Sequence, residues 1–527
     1  MRIAWGILCL TLASPLFGQL PQKPEPLPHY SASRSLREDA TLRSVAFVTP
    51  ETGLACGDRG TILRTVDGGS SWQSMKSGVD CPLSAVVWID TKKAIVAGGN
   101  YDRITGLSRG AVLLSQDGGQ SWQRAKDEEL TRFHKLEKNS EGSILARCDW
   151  SHAVLTDSLI SRDGGRTWHD NSTHKRSVPG LATHQKNTST SPSLNELMQW
   201  FQTTQIPVAI RGACRINNTD YCIVGDHGVI LITRDKGKTW VPTRGKDRQT
   251  SVLFVANNAK TAAWSLLGSE ALESRNRVSL LVRETLTGTH ADYPDHALAN
   301  QVAIMLGASG ADAIDHWGND LDQTATAWIA IHQPTVLVLD ETLPVAVREA
   351  FVNAAASAAI QRIAIHGFDG NGGTSLHRDA LLSHSGALAG DLHADAMHYI
   401  SPNDIQVHSI TLRYPYDISP NQRRGSSVTN GLTLPRGHHL AAKVNDASRH
   451  QLQILKARLQ QADRLQSLVK TSEDAVDFNE SIKRVLDQTA KADQFRVAWS
   501  LVQATRPEKL HDGLALHEAA LEQFASR

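Results

Sequence analysis

The sequence predicts a multidomain protein with an all-β region, then an α/β region with a parallel sheet, then an α-helical carboxyl-terminal region. Three observations carry this prediction. An eight-residue motif occurs four times before residue 248, short apolar runs alternate with helical segments between about 249 and 400, and leucines recur at helical spacing after about 439. A length of 527 residues agrees with about three domains.

The composition excludes several classes of protein. Lys and Arg number 55 and Asp and Glu 54, so the formal charge is +1 and nothing favours a nucleic-acid partner. Apolar residues make up 40% and charged residues 21%, which is typical of a globular chain. No segment after the amino terminus approaches the roughly 18 apolar residues of a membrane span, so we expect no transmembrane segment there.

The amino terminus has the pattern of an export signal. Arg2 supplies a positive start, Ile3 to Phe17 is mostly apolar, and small residues follow near Gly18. We therefore predict a cleaved signal at 1–18 and a periplasmic or extracellular protein; the alternative is a buried amino-terminal helix. Residues 19–39, rich in Pro, Ser and charge, are predicted to be a linker.

Five cysteines follow the predicted signal, and an odd number in an oxidising compartment implies a free thiol or an intermolecular bridge. Cys214 and Cys222 flank a turn pattern, Asn217 to Asp220, and are expected to face each other across a hairpin. The cysteine spacings fit no zinc motif.

The repeated motif has the form Asp-Gly-Gly-x-Ser/Thr-Trp, with Lys236 replacing the first glycine in the last copy. The copies are Thr65–Trp72, Ser115–Trp122, Ser161–Trp168 and Thr233–Trp240. The tryptophans lie 50, 46 and 72 positions apart, and the first two intervals suit the blades of a β-propeller. The third interval is too long for one blade, and its segment 173–206 is predicted to replace a degenerate blade.

Each motif residue has a structural use. The carboxylates of Asp67, Asp117, Asp163 and Asp235 can accept backbone N–H groups and close a tight hairpin. The following glycine permits positive φ, and the tryptophans Trp72, Trp122, Trp168 and Trp240 can bury area against a neighbouring blade. We therefore predict structural, not catalytic, roles for these eight residues. Gly57–Leu63 matches Gly225–Leu231, and both are predicted to be a turn followed by an inner strand.

This motif is the Asp-box, or BNR, repeat, and residues of about 40–248 resemble the propeller family of photosystem II assembly factors. The resemblance implies a propeller that presents a binding face to a protein or glycan partner. Sialidases also carry Asp boxes, but their chemistry needs an arginine cluster and a tyrosine nucleophile. The region 40–248 contains only two tyrosines, Tyr101 and Tyr221, and this scarcity disfavours a glycosidase.

The region 249–400 predicts a Rossmann-like parallel sheet. Predicted strands are 252–256, 278–282, 334–340 and 363–365, and predicted helices are 262–272, 296–308 and 345–359. Their order resembles the PIG-L family of zinc deacetylases that act on N-acetyl sugars. At that family's zinc and general-base positions this chain has Asn257, Ala259 and Lys260. An amide, a methyl and an ammonium suit neither zinc nor base chemistry, so the resemblance implies a pseudoenzyme.

Other candidate metal ligands are weaker. The family's third ligand position falls at 340–345, where there is no histidine. Tyr293–His296 looks like a ligand motif but is interpreted as a helix start. A segment rich in His and Asp is predicted to be a surface loop, with a metal site as the open alternative; its members are His366, Asp369, His377, Asp379, His384, Asp391, His393, Asp395 and His398.

Residues 401–438 are predicted to be a connecting segment and 439–527 a helical region. The functional prediction is an exported, non-catalytic scaffold with no cofactor, no metal and no catalytic residue, and with a protein or glycan partner in the cell envelope. The alternative is a zinc-dependent N-acetyl-sugar deacetylase or other glycan-acting hydrolase with rebuilt ligands, among them His296 or His393.

Overall fold

A computed structural model describes most of the first two predicted regions. The described residues are 34–101, 108–125, 130–149, 157–171, 209–283, 295–314, 321–358, 360–370, 374–382, 384–401, 407–422, 427–435, 475–487, 494, 498 and 514–525. The predicted signal at 1–18, the segment 173–206 and the stretch 439–474 lie outside them.

The amino-terminal half consists of four antiparallel sheets of four strands each. Blade 1 holds β1 (Leu42–Phe47), β2 (Gly53–Gly57), β3 (Thr61–Thr65) and β4 (Gln73–Met75). Blade 2 holds β5 (Leu83–Trp88), β6 (Ala94–Tyr101), β7 (Ser108–Ser115) and β8 (Gln123–Arg124). Blade 3 holds β9 (Phe133–Lys138), β10 (Ile144–Cys148), β11 (Ser158–Ser161) and β12 (His169–Asp170). Blade 4 holds β13 (Ile210–Arg215), β14 (Tyr221–Gly225), β15 (Ile230–Thr233) and β16 (Val241–Arg244).

The sheets pack side by side through their first strands. Strand β1 contacts both β5 and β13, and β5 contacts β9, so the blades lie in the order 3-2-1-4. Apolar clusters fill the space between neighbours, with Leu54, Ile62 and Leu113 between blades 1 and 2. The predicted β-propeller is therefore confirmed, with one Asp box in each described blade.

The next region is a seven-stranded sheet in the order β19-β18-β17-β20-β21-β25-β22. Its strands are β17 (Val252–Ala256), β18 (Val278–Arg283), β19 (Ala311–Ile314), β20 (Val336–Asp340), β21 (Arg362–Phe368), β22 (Thr374–Leu376) and β25 (Ile410–Asp417). The first five pair in parallel, while β25 and β22 pair antiparallel. A short hairpin of β23 (Leu381–Leu382) and β24 (Ala387–Leu388) precedes the last helix of this unit.

Helices cover both faces of this sheet because its strands are apolar on both sides. They are α2 (Trp264–Gly268), continued by a π-helical turn at Ser269–Glu273, α3 (Asp295–Met305), α4 (Leu321–His332), α5 (Val345–Ala356) and α6 (Ala389–Ile400). Phe254 and Trp264 share one core with α6, whereas Val255 and Phe351 share the core on the opposite face. We call this three-layer assembly the α/β unit.

Two predicted boundaries are wrong. Helix α1 (Arg34–Glu38) lies in the predicted linker, and its Leu36 packs into the core of the α/β unit. The predicted connecting segment 401–438 contributes β25 to the sheet. Both segments are held by tertiary contacts, which their polar composition does not reveal.

The carboxyl-terminal region contains α7 (Ala475–Asp487) and α8 (Leu514–Ala525), which pack together. Gln523 donates a hydrogen bond of 2.6 Å to Asn479 between them. Within the described ranges, no helix combines the length and apolar character that crossing a membrane requires.

Candidate functional site

Each Asp box forms the same hydrogen-bonded turn between the third and fourth strands of its blade. In blade 1, Asp67 accepts the Ser71 N–H at 2.9 Å and the hydroxyls of Ser71 at 2.5 Å and Thr65 at 2.8 Å. The Thr65 hydroxyl in turn accepts the Gly69 N–H at 2.8 Å. The boxes of Asp117, Asp163 and Asp235 repeat this pattern.

These bonds hold the box carboxylates in the charged form. Hydrogen bonds from Ser71 lower the pKa of Asp67 to about 2. Equivalent bonds lower the pKa of Asp117 and Asp235 to about 2 as well. Burial raises the pKa of Asp163, but bonds from Thr167 outweigh it and bring it to about 2. A carboxylate with its lone pairs committed to its own turn is a poor acid or base.

In blades 1 to 3, the second glycine of the box lies close against the neighbouring blade. Gly69 has φ 83°, and a Cβ there would lie 2.2 Å from the Ile232 Cδ1 atom of blade 4. Trp72 packs edge-on against Phe47 in the cluster between blades 1 and 4. The ring centroids of Trp168 and Phe133 lie 5.1 Å apart in the equivalent cluster between blades 2 and 3. The boxes therefore join blades as well as close hairpins.

At the opposite end of the blades, arginine and aspartate form ion pairs that the sequence reasoning missed. Arg43 at the start of β1 binds Asp58, with 2.5 Å from Nε to Oδ1 and 2.9 Å from an Nη atom to Oδ2. In blade 4, Arg211 binds Asp226 through two bonds of 2.8 Å. The spacing of 15 residues between arginine and aspartate, which blades 1 and 4 share, was the available signal in the sequence.

Blade 3 carries a related pair. Arg132 Nε lies 3.2 Å from Asp149, which also accepts bonds from His134 at 2.5 Å and Ser108 at 2.7 Å. Burial raises the pKa of Asp149, but His134 and Arg132 outweigh it and hold it at about 2. We call this end of the blades the pair face, and the opposite end, with the Asp boxes, the box face.

The α/β unit covers the pair face at blades 1 and 4. The turn that follows α3 lies against blade 1, where Arg59 donates to the Ala308 carbonyl at 3.2 Å and the Thr41 hydroxyl donates to the Ser309 carbonyl. Arg43 also reaches Asn300 of α3 at 3.2 Å. Since Thr41 and Arg59 are buried, this contact excludes water.

A second buried group of polar residues lies beside it. Asp39, before β1, is bound by Arg277 at 2.6 Å and by Arg248 at 3.0 Å. His227 of blade 4 contacts Thr250 at 3.1 Å through Nε2. Buried charges and imidazoles that all have partners are typical of a permanent contact between two parts of one chain.

The carboxyl edge of the sheet is where an α/β protein places its ligands. Asp340, at the end of β20, accepts the Asn257 N–H at 3.0 Å, the Thr261 hydroxyl, and both the N–H and the hydroxyl of Thr342 at 2.8 Å. Lys260 is exposed, whereas Ala259 is buried and its carbonyl accepts a hydrogen bond of 2.9 Å from the Trp264 indole N–H. Asp340 therefore fixes the loop that follows β17.

These residues do not fit a zinc ion. The Asn257 amide oxygen is buried and accepts no hydrogen bond from the described residues, but an amide is a poor zinc ligand. The Asp340 carboxylate is already occupied by four donors. Throughout the described ranges, no three His, Cys, Asp or Glu side chains come together as a metal site.

The prediction that the segment rich in His and Asp is a surface loop is wrong at its two ends. His366 lies on β21 and His393 on α6, and both are buried. Together with His408 they surround Phe368. The distance from the Phe368 ring centroid to the imidazole centroid is 6.0 Å for His366, 5.9 Å for His393 and 5.3 Å for His408. Asp391 is exposed on the same helix as His393, so the two do not converge.

Two further predictions concern this unit. Helix α3 is described from Asp295 onward, and the residues before Asp295 lie outside the described part, so the interpretation of Tyr293–His296 as a helix start stays a prediction. Tyr293 and the side chain of His296 lie outside the described part. The buried position of His366 was missed, although its place in the apolar run 362–368 was a signal.

The comparisons with known proteins agree with the blades. Residues 30–130 match a family described as photosynthesis system II assembly factor YCF48. That match spans blades 1 and 2. No curated protein matches the chain significantly.

Several solved structures resemble the chain weakly. "YCF48 bound to D1 peptide" is 16% identical, covering 39% of this chain and 81% of that one, with a TM-score of 0.23. YCF48 from Cyanidioschyzon merolae is 15% identical, covering 41% and 86%, with a TM-score of 0.18. A GH74 enzyme from Niastella koreensis is 11% identical, covering 42% and 31%, with a TM-score of 0.20. Values this low do not indicate what the chain binds.

Proposed function

We propose that this protein is an exported, non-catalytic binding protein whose propeller presents its box face to a protein or glycan partner in the cell envelope. The observation that supports this most is the occupation of the pair face by the α/β unit at blades 1 and 4. A propeller covered at one end offers its other end to partners. The family match at residues 30–130 supports a binding or assembly role.

The box face offers polar groups at regular positions. An exposed polar residue follows each box aspartate at the third position. These four residues are Ser70, Gln120, Arg166 and Lys238. Because the aspartates are committed to their own turns, these neighbouring side chains are the groups that a partner meets. A protein is the partner that we favour, since the match is to an assembly factor.

We further propose that the α/β unit is a degenerate Rossmann-like domain of the PIG-L type. Support comes from the residues at its carboxyl edge. Asn257 and Ala259 stand at the positions of a ligand and a base, and Lys260 extends to solvent. This unit then serves to cover and stabilise the propeller.

Photo-crosslinking tests the binding proposal. A photoreactive amino acid replaces Ser70, Gln120, Arg166 or Lys238 in turn, and exposed Glu349 on α5 as the control. In envelope extract we expect the same protein to be captured from the four box positions and not from position 349. Capture at position 349 alone, or at none of the five, would contradict the proposal.

The captured protein is then purified and its affinity measured. We expect Arg166→Glu with Lys238→Glu to weaken binding by about tenfold or more, roughly 1.4 kcal/mol, and Glu349→Lys to leave it unchanged. Equal affinities for both variants would place the interface elsewhere.

A zinc-dependent N-acetyl-sugar deacetylase with rebuilt ligands is the second candidate, because the buried side chains of His366 and His393 flank Phe368 at the end of β21. The test is metal analysis of the purified protein together with an assay on N-acetylglucosamine conjugates. One zinc per chain that is lost in His393→Ala, with matching loss of deacetylation, would replace the binding proposal. Without stoichiometric zinc or turnover, the deacetylase candidate fails.

A further inference from the structure

Two cysteines of blade 4 stand directly opposite each other. Cys214 of β13 pairs with Cys222 of β14 in antiparallel register, so both side chains point to the same side of the sheet. The sequence prediction that they face one another across a hairpin is thereby confirmed. Directly opposed residues of an antiparallel pair have Cα atoms about 4.5–5.5 Å apart, which lies within the roughly 4.4–6.8 Å that a disulfide spans.

We propose that Cys214 and Cys222 are an oxidisable pair that forms a disulfide across the first hairpin of blade 4. The Cys214 thiolate attacks a disulfide oxidant such as glutathione disulfide, forming a mixed disulfide and releasing one glutathione thiolate. The Cys222 thiolate then attacks the Cys214 sulfur and releases the second glutathione. Two protein thiols lose two electrons and two protons, and one glutathione disulfide becomes two glutathione molecules.

The surroundings distinguish this pair from the other thiols. Cys56 stands opposite Ser44 and Ile62, and Cys148 stands opposite Phe133. Among the described cysteines, no other two are cross-strand neighbours. The pair therefore resolves part of the odd cysteine count, leaving Cys56, Cys81 and Cys148 as thiols.

The position of the pair fixes the order of events. Cys214 is half-buried, whereas Cys222 is fully buried in the cluster between blades 4 and 1. Cys214 is thus the thiol that an oxidant meets first. Burial, helped by the neighbouring Cys214 thiol, raises the pKa of Cys222 well above its usual value, so closure is fastest before the blades pack. The bond would tie the edge of blade 4 that faces blade 1.

Trypsin mapping tests the proposal, because Arg215 lies between the two cysteines. Three samples of the full chain are compared. The first is kept reduced, the second is oxidised with glutathione disulfide as the native protein, and the third is oxidised with glutathione disulfide during refolding from urea. All samples are then denatured and alkylated. We expect the oxidised protein to yield peptide 212–215 joined to peptide 216–234, and the reduced protein to yield both as alkylated peptides. Recovery of both peptides fully alkylated after native and refolding oxidation would overturn the proposal, and so would a link from either to Cys56, Cys81 or Cys148.

Thermal unfolding gives an independent measurement. The oxidised protein should melt higher than the reduced one by roughly 2 °C or more. Cys214→Ser should abolish that difference, and the control Cys81→Ser should keep it. Each variant is compared with itself in the two redox states, so a general loss of stability does not mask the result. A difference that survives in Cys214→Ser would contradict the proposal. None of these outcomes depends on the partner proposed for the box face.

Discussion

Ser309 of the α/β unit and His227 of blade 4 are joined by a hydrogen bond of 2.5 Å between Oγ and Nδ1. His227 is 1% exposed and sits in the turn of the pair face with a φ of 56°. Its other ring nitrogen contacts Thr250, which also contacts His332. One imidazole thus ties the propeller to two segments of the α/β unit.

We expect this contact to weaken in acid. Burial, with Arg277, Arg248 and His332 nearby and Asp39 opposing them, lowers the pKa of His227 well below its usual 6.5. Below about pH 6.5 the unfolded chain therefore binds a proton that the folded chain excludes, and stability falls by up to about 1.4 kcal/mol per pH unit.

Urea unfolding between about pH 7.5 and pH 5.5 measures this dependence. His227→Asn tests its source, because asparagine tolerates positive φ and does not titrate. In this variant, the free energy of unfolding should depend less steeply on pH than in the unchanged protein. An unchanged slope would assign the pH dependence to other histidines such as His366, whose pKa burial also lowers.

The four box tryptophans should not be equivalent. Trp168 is buried against Phe133, whereas Trp122 is half-buried in the cluster between blades 1 and 2. Trp168→Ala should lower the free energy of unfolding by about 3–5 kcal/mol, and Trp122→Ala by about 1–3 kcal/mol. Denaturant midpoints at constant m-value decide between them, and equal losses would contradict the packing described above.

The second glycine of the box should be required for blade packing as well as for its backbone conformation. Gly69 and Gly142 have similar φ values, 83° and 86°, but a Cβ at Gly142 would meet no atom within 4 Å. Gly69→Ala should therefore be more destabilising than Gly142→Ala by about 1–3 kcal/mol, because the new methyl group overlaps Ile232. Equal unfolding midpoints for the two variants would mean that the positive φ alone accounts for the destabilisation and that the overlap with Ile232 contributes nothing.

Arg277 should hold the two units together more strongly than a surface arginine does. Arg277 is 2% exposed and binds buried Asp39, whereas Arg37 is 52% exposed and binds exposed Asp80. Arg277→Met leaves Asp39 with Arg248 and should lower the free energy of unfolding by about 3 kcal/mol. Arg37→Met should change it by less than about 1 kcal/mol. In calorimetry, the propeller and the α/β unit should unfold in two separate transitions in Arg277→Met, but not in Arg37→Met. Similar effects of both variants would argue against a buried contact.

The Asp boxes were predictable in detail because their geometry is local. Each carboxylate bonds to groups within four residues, so the spacing of Thr65, Asp67 and Ser71 specifies the turn. The same holds for the strand 252–256, whose unbroken apolar run matches a strand buried on both faces.

Contacts between distant residues were not predictable. The histidines around Phe368 come from β21, α6 and the segment before β25, and only the fold brings them together. The polar segment before β1 gave no sign that Leu36 belongs to the core of the α/β unit.

The sequence by itself determined four identical turns, the strands that carry them and the amide, methyl and ammonium groups after β17, since each depends on neighbours along the chain. Only the tertiary structure decided which end of the propeller is covered, because Thr41 and Ser309 meet across 268 positions. It also decided that the Asp340 carboxylate serves the loop after β17, since Asn257 reaches it from 83 positions away. Burial and hydrogen bonding over such separations depend on the packing of whole elements, which no local pattern specifies.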